Sequence, residues 1–108
     1  MLNTSEFDEQ CDLIKTQIFE AARYEQLAEE CTELAKAALK KARKIRRQNY
    51  TPLTMAEIDE NLIEEFNDVI LAAKSCDLEI DQDIVSAKLQ RWVDRVTEHP
   101  TECYCRIL

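Results

Sequence analysis

Glycine is absent from this chain, and proline occurs only twice in 108 residues. Hairpins and sheets normally recruit glycine at their turns, where positive φ is needed, so its absence argues against a β-rich fold. A cationic excess is lacking too. The formal net charge of −8 excludes a nucleic-acid backbone as the expected partner, because such binding rests on lysine and arginine contacts to phosphate. No apolar run approaches the roughly 20 residues that span a bilayer, so no membrane partner is expected. The five cysteines are odd in number and form no CxxC pair, and nothing near Met1 has the basic and then apolar regions of a signal peptide. Reduced thiols and a cytoplasmic setting are the expectation.

What the chain does have is alanine, glutamate, lysine, leucine and arginine in abundance, with 45% hydrophobic residues. That is enough for one modest core in one domain over residues 1–108, and an all-α bundle of four to five helices follows. Ser5 is placed to cap a first helix carrying Phe7, Cys11, Ile14 and Ile18 and ending near Glu20. A second segment, from about Arg23 to Arg47, puts Leu27, Cys31, Leu34, Ala38, Ala42 and Ile45 on one stripe, with acids early and a basic run late, as the helix dipole favours. Neither glycine nor proline separates these segments, so one bent helix and two helices are both open. A break from Gln48 to Leu53 surrounds Pro52. Thr54 and Glu57 then have the form of a capping box for a third helix striped by Ile58, Leu62, Phe66, Val69 and Ala73. After a connection from Ser75 to Asp81, Asp81 is placed to cap a fourth helix with Val85, Leu89, Trp92, Val93 and Val96.

Two acid pairs stand out on this frame. Glu30 and Glu33, and Glu65 and Asp68, are each three residues apart and therefore share a helix face. Both pairs run beside the apolar stripe of their helix rather than opposite it, where a solvated acid face would lie. If the two helices pack side by side, four carboxylates converge. Such crowded charge repels itself at close range unless some groups protonate or a cation sits among them. Oxygen-only ligands point to Mg²⁺, with Mn²⁺ also suited.

Lys88, Arg91 and Arg95 fall at i, i+3 and i+7 on the fourth helix and form a basic stripe. Cations of this kind hold the phosphate oxygens that a metal leaves unpaired. Salt bridges to Asp94 or Glu98 on a solvated face are the plain alternative.

The run from Glu29 to Ala37, the run from Leu62 to Val69 and the run from Lys88 to Arg91 together resemble the all-α nucleoside triphosphate pyrophosphohydrolases, the MazG-like group, over about residues 24–96. The resemblance implies Mg²⁺-dependent cleavage of an NTP or dNTP between the α- and β-phosphates, by helical bundles that assemble as homodimers or homotetramers. By position it implies Glu30, Glu33, Glu65 and Asp68 as metal ligands and Lys88, Arg91 and Arg95 as substrate-binding residues. Independently of the resemblance, a carboxylate not fully engaged by metal can accept the proton of the attacking water, and Glu30 and Glu33 are both open as that catalytic base. The 31 residues between Glu33 and Glu65 are more than the family usually has there. The same acid pattern occurs in phosphoribosyl-ATP pyrophosphohydrolases, and a non-catalytic acidic helical interaction module is the rival from another class. Exposed apolar faces left by four short helices independently favour an even-numbered homo-oligomer.

Other signals carry less. Trp92, Tyr24 or Tyr50 is available to stack on a base, though ordinary packing accounts for each. His99, Cys103 and Cys105 have metal-capable types but lack a fourth ligand and zinc spacing. Cys105 to Leu108 has the form of a prenylation box, which four residues match often by chance. Both are read as features of an aperiodic tail. Cys31 is read as a small buried apolar residue on the core stripe.

Overall fold

The computed structural model describes residues 2–47 and 50–98. Among them are four α-helices and no strand, so the chain is all-α: α1 (Thr4–Gln17), α2 (Glu20–Arg46), α3 (Met55–Ser75) and α4 (Gln82–Glu98). Gln48 and Asn49 of the expected break, and the tail with His99, Cys103, Cys105 and the prenylation-like box, lie outside the described residues. The helices fall into two compact units, Met1–Leu78 with α1 to α3 and Glu79–Leu108 with α4. No helix among the described residues is long and apolar enough to cross a membrane.

Local chemistry sets the helix ends. Asn3, not Ser5, caps α1: its side chain accepts from the Glu6 amide at 2.8 Å, while the Glu6 carboxylate accepts from the Asn3 amide at 3.3 Å. Only Asn3 has a glutamate three residues on to close both halves of the box. The question of one helix or two resolves to two. Ile18 is extended, with φ −118° and ψ 125°, and the hydroxyl of Thr16 donates to the Leu13 carbonyl at 2.7 Å, so the chain turns without glycine or proline. Thr54 and Glu57 form the expected capping box of α3, and Asp81 accepts from the Ile84 amide at 3.1 Å at the start of α4. With no glycine to use, α2 and α3 close on residues in the left-handed region: Arg47 at φ 57° and Asp77 at φ 60°. Around Asp77 the Leu78 amide donates to the Ala73 carbonyl and the Asp77 amide to that of Lys74, the two bonds of a Schellman motif.

In the first unit, α2 and α3 make the main contact and α1 packs more lightly on α3. The α2–α3 pair is antiparallel. Near its start, Arg23 of α2 donates from Nη1 to the carbonyl of Ser75 at the end of α3; towards its end, Lys41 pairs with Asp59 in the second turn of α3. These two ties fix which face of α2 turns inward. It is the face of Arg23, Leu27, Glu30, Leu34, Ala37 and Lys41, all buried or half-buried. Cys31 is exposed rather than buried, as are Ala38 and Ile45. Each of these three follows an inward or half-buried residue, Glu30, Ala37 or Lys44, by one position and so sits about 100° round the helix from it. On α3 the inward row is Ile58, Leu62, Glu65, Val69, Ala72 and Cys76, and Phe66 of the expected stripe is 52% exposed. The buried apolar residues among those described are few and mostly small: Ala37, Ile58, Ala72 and Cys76.

Candidate metal centre

Because the α2–α3 seam runs through the acid rows rather than beside them, the carboxylates are brought together inside it. Glu30 of α2 and Glu65 and Asp68 of α3 are half-buried, and each offers one carboxylate oxygen within 4.8 Å of those of the other two. An octahedral Mg²⁺ with oxygens at about 2.1 Å spans about 4.2 Å between opposite ligands, so small side-chain rotations close the set. The donors are hard and anionic, which fits Mg²⁺ or Mn²⁺ and gives no site for a thiophilic metal. Among the described residues this is the group of three or more such side chains close enough to hold an ion.

The electrostatics agree with crowding. Desolvation in the seam pushes Glu65 above the ordinary glutamate value, and the charges of Asp68, Glu30, Glu33 and Glu64 add to the push. Glu30 is held in place by Gln26, whose Nε2 donates to Oε1 at 2.7 Å. Glu33 is half-buried but stands outside the convergent trio, and its Oε1 accepts from Lys36 Nζ at 3.4 Å, a pair with substantial exposure on both sides. Three of the four acids expected to converge therefore do so, and the fourth sits at the margin with a lysine partner.

Lys88, Arg91 and Arg95 lie on α4, in the second compact unit, and all three are exposed. Asp94 accepts from Gln90 Nε2 at 2.9 Å, and neither Lys88 nor Arg91 has an ion-pair partner among the described residues. The aromatic side chains considered for base stacking, Tyr24, Tyr50 and Trp92, are 48%, 93% and 65% exposed.

A cavity of about 630 Å³ adjoins the carboxylates within the first unit, and Glu30 and Asp68 form part of its wall. Its apolar lining comes from Phe7 and Ile14 of α1, Ile18 at the bend, and Leu71 of α3. Arg23 also lines it, with Nη1 committed to Ser75 and a buried Nε that has no hydrogen-bond partner. Sequence reasoning did not single out Phe7, Ile14 or Arg23 as site residues. The available signal was positional: Arg23 lies seven residues, about two helical turns, before Glu30 and so on the same side of α2.

No protein-family model, curated protein or solved structure matches the chain.

Proposed function

We propose that this protein is a Mg²⁺-dependent nucleoside triphosphate pyrophosphohydrolase, able to use Mn²⁺, that cleaves an NTP or dNTP between the α- and β-phosphates. The observation that carries the reading is the convergence of Glu30, Glu65 and Asp68 from two antiparallel helices, beside a cavity large enough for an organic ligand. A divalent cation bound there supplies a Lewis acid for a phosphoryl oxygen and makes a bound water a better nucleophile at neutral pH. Glu30, Glu65 and Asp68 are its ligands in this reading. Glu33 is the carboxylate left to accept the proton of the attacking water, with Glu30 the second candidate for that role. Lys88, Arg91 and Arg95 are the cations assigned to the polyphosphate oxygens, on the strength of their chemistry and shared stripe. The protein works as a homodimer or homotetramer in a reducing, cytoplasmic setting.

The test is release of pyrophosphate and monophosphate from a panel of NTPs, dNTPs and phosphoribosyl-ATP with Mg²⁺ or Mn²⁺. Phosphoribosyl-ATP as the one good substrate would shift the assignment to that narrower enzyme. A second reading, a non-catalytic helical interaction module, is favoured by the exposure of Phe19, Ile63 and Phe66 at 88%, 62% and 52%. It predicts no hydrolysis of any nucleotide and no tight Mg²⁺ site.

A further inference from the structure

Helix α1 covers the cavity without being built into the core. Phe7, Cys11 and Ile14 of α1 and Ile18 just after it recur at i, i+4, i+7 and i+11, so they form one stripe, and all four line the cavity. No residue of α1 is buried, and Ile14, Ile18 and, on the α3 wall, Leu71 are 44%, 41% and 53% exposed. Apolar side chains on two walls of one cavity are left partly uncovered, where direct packing would take them out of water.

The attachments of α1 suit movement. Only Ile18 and Phe19 stand between α1 and α2, and both are out of helical conformation, with ψ 125° and 147°. The backbone bonds beside them stay within their own helix, from the Ile18 amide to the Ile14 carbonyl and from the Arg23 amide to the Phe19 carbonyl, and no side chain caps the start of α2. The last turn of α1 is tied to the end of α3 by an ion pair between Lys15 and Asp77. Neither charge is stranded when that pair parts. Lys15 Nζ lies 3.8 Å from Asp12 on its own helix, and the Asp77 carboxylate, held below the ordinary aspartate value chiefly by its hydrogen bond from Lys15, also feels Arg23 and Lys74. With the Asp77 side chain 71% exposed, such a tie is weak and exchangeable.

We propose that α1 is a hinged lid on this cavity, turning about Ile18 and Phe19, with Lys15 and Asp77 as its latch. Opening bares the wall on which Glu30 and Asp68 stand, and closing takes the apolar side chains of the walls out of water. The lid does not depend on nucleotide hydrolysis, because it governs entry whatever ligand the cavity takes.

Three thiols report on it. Cys11 on the α1 stripe is half-buried, Cys31 on α2 is exposed, and Cys76 at the end of α3 is buried. The full chain is treated with fluorescein maleimide, the sites are resolved by peptide mass mapping, and each rate is divided by that of the same thiol in the urea-unfolded chain. In the parent, protection should rise from Cys31 through Cys11 to Cys76, with Cys11 at least about tenfold less protected than Cys76, because the lid opens without global unfolding. Lys15→Met should speed Cys11 several-fold and leave Cys31 and Cys76 unchanged. Lys15 interacts electrostatically with the Cys11 thiol, and losing a neighbouring cation would by charge alone slow it, so acceleration reports motion. Asp77→Asn, which keeps at this left-handed position a residue that tolerates it, should have the same effect and guards against a Lys15 variant that damages α1. The double variant should add nothing to either single one, since one latch is broken in all three. Cys11 as protected as Cys76, or as reactive as Cys31, would overturn the lid. So would an unchanged Cys11 rate in both single variants, equal acceleration of Cys76, or additive effects in the double variant.

Discussion

Glu30 and Asp68 belong to different helices, yet their carboxylate oxygens come within 4.8 Å of each other and of one from Glu65. Opposed carboxylates this close repel, while elsewhere along the seam the buried Ala37, Ile58 and Ala72 and the ties of Arg23 to Ser75 and Lys41 to Asp59 favour the contact. The seam therefore carries a local electrostatic cost at its middle that a bound cation relieves.

The first prediction is a pH dependence in metal-free buffer. Glu65 is raised in the folded state, so the folded chain holds that proton more tightly than the unfolded one, and stability must fall as pH rises from the ordinary glutamate value through the raised one. Denaturant midpoints measured at stepped pH should decline over that window, and Glu65→Gln should flatten the decline. A midpoint that rises across the same window in the parent would show that the carboxylates do not crowd.

The second concerns the metal itself. Mn²⁺ at a hundredfold excess over its dissociation constant should stabilise the parent by about 2.7 kcal/mol, by mass action on the folded state alone. Asp68→Asn should lose most of that gain. A gain of equal size in parent and variant would place Mn²⁺ somewhere other than the seam.

How far the sequence revealed this arrangement depends on the level. Composition alone gave the all-α class, and the capping boxes at Thr54 and the Asp81 cap were readable because each is a local pattern of side chain and amide. The helix register was not. Counting apolar residues put Cys31 and Phe66 inward, whereas the inward face follows the Arg23–Ser75 and Lys41–Asp59 ties and the small residues Ala37 and Ala72. Those are tertiary facts, invisible to periodicity. The same rotation moved the acids from the edge of the seam into it. Glu33 is grouped with Glu30 because i and i+3 share a face, but it pairs with Lys36, three residues on. Arg23 went unnoticed because the partner that ties it down is a carbonyl 52 residues away.

The third prediction addresses the basic stripe. Lys88→Ala and Arg91→Ala should raise KM more than they lower kcat if these cations hold substrate and transition state alike. Steady-state kinetics at saturating metal decides it. An unchanged KM in both variants would leave the stripe as a solvated face.

The fourth is assembly. Ile63, Phe66 and Ile70 are spaced i, i+3 and i+7 on α3 and are 62%, 52% and 48% exposed, an apolar stripe turned away from the α2 contact. Light scattering should report a homodimer or larger even assembly at micromolar concentration, and Phe66→Asp should shift it to monomer. A monomeric parent contradicts this expectation.

The fifth follows from the missing glycine. Arg47 closes α2 at φ 57°, a conformation that costs a residue with a Cβ about 1 kcal/mol relative to glycine. Arg47→Gly should therefore stabilise the protein by up to about 1 kcal/mol in chemical denaturation, against the usual trend for glycine substitution. A loss of stability would mean that the side chain contributes more than the backbone strain removes.

The measurement that bears most directly on function is pyrophosphate release by the parent beside Glu65→Gln and Asp68→Asn, with Mg²⁺ and a nucleotide that the parent cleaves. Both substitutions keep side-chain size and remove one ligand charge. The parent should release pyrophosphate and monophosphate in equal amounts, and the variants should be slower by orders of magnitude while remaining folded by circular dichroism. Variants that hydrolyse as fast as the parent would contradict the account, leaving the carboxylates of the seam without a catalytic role.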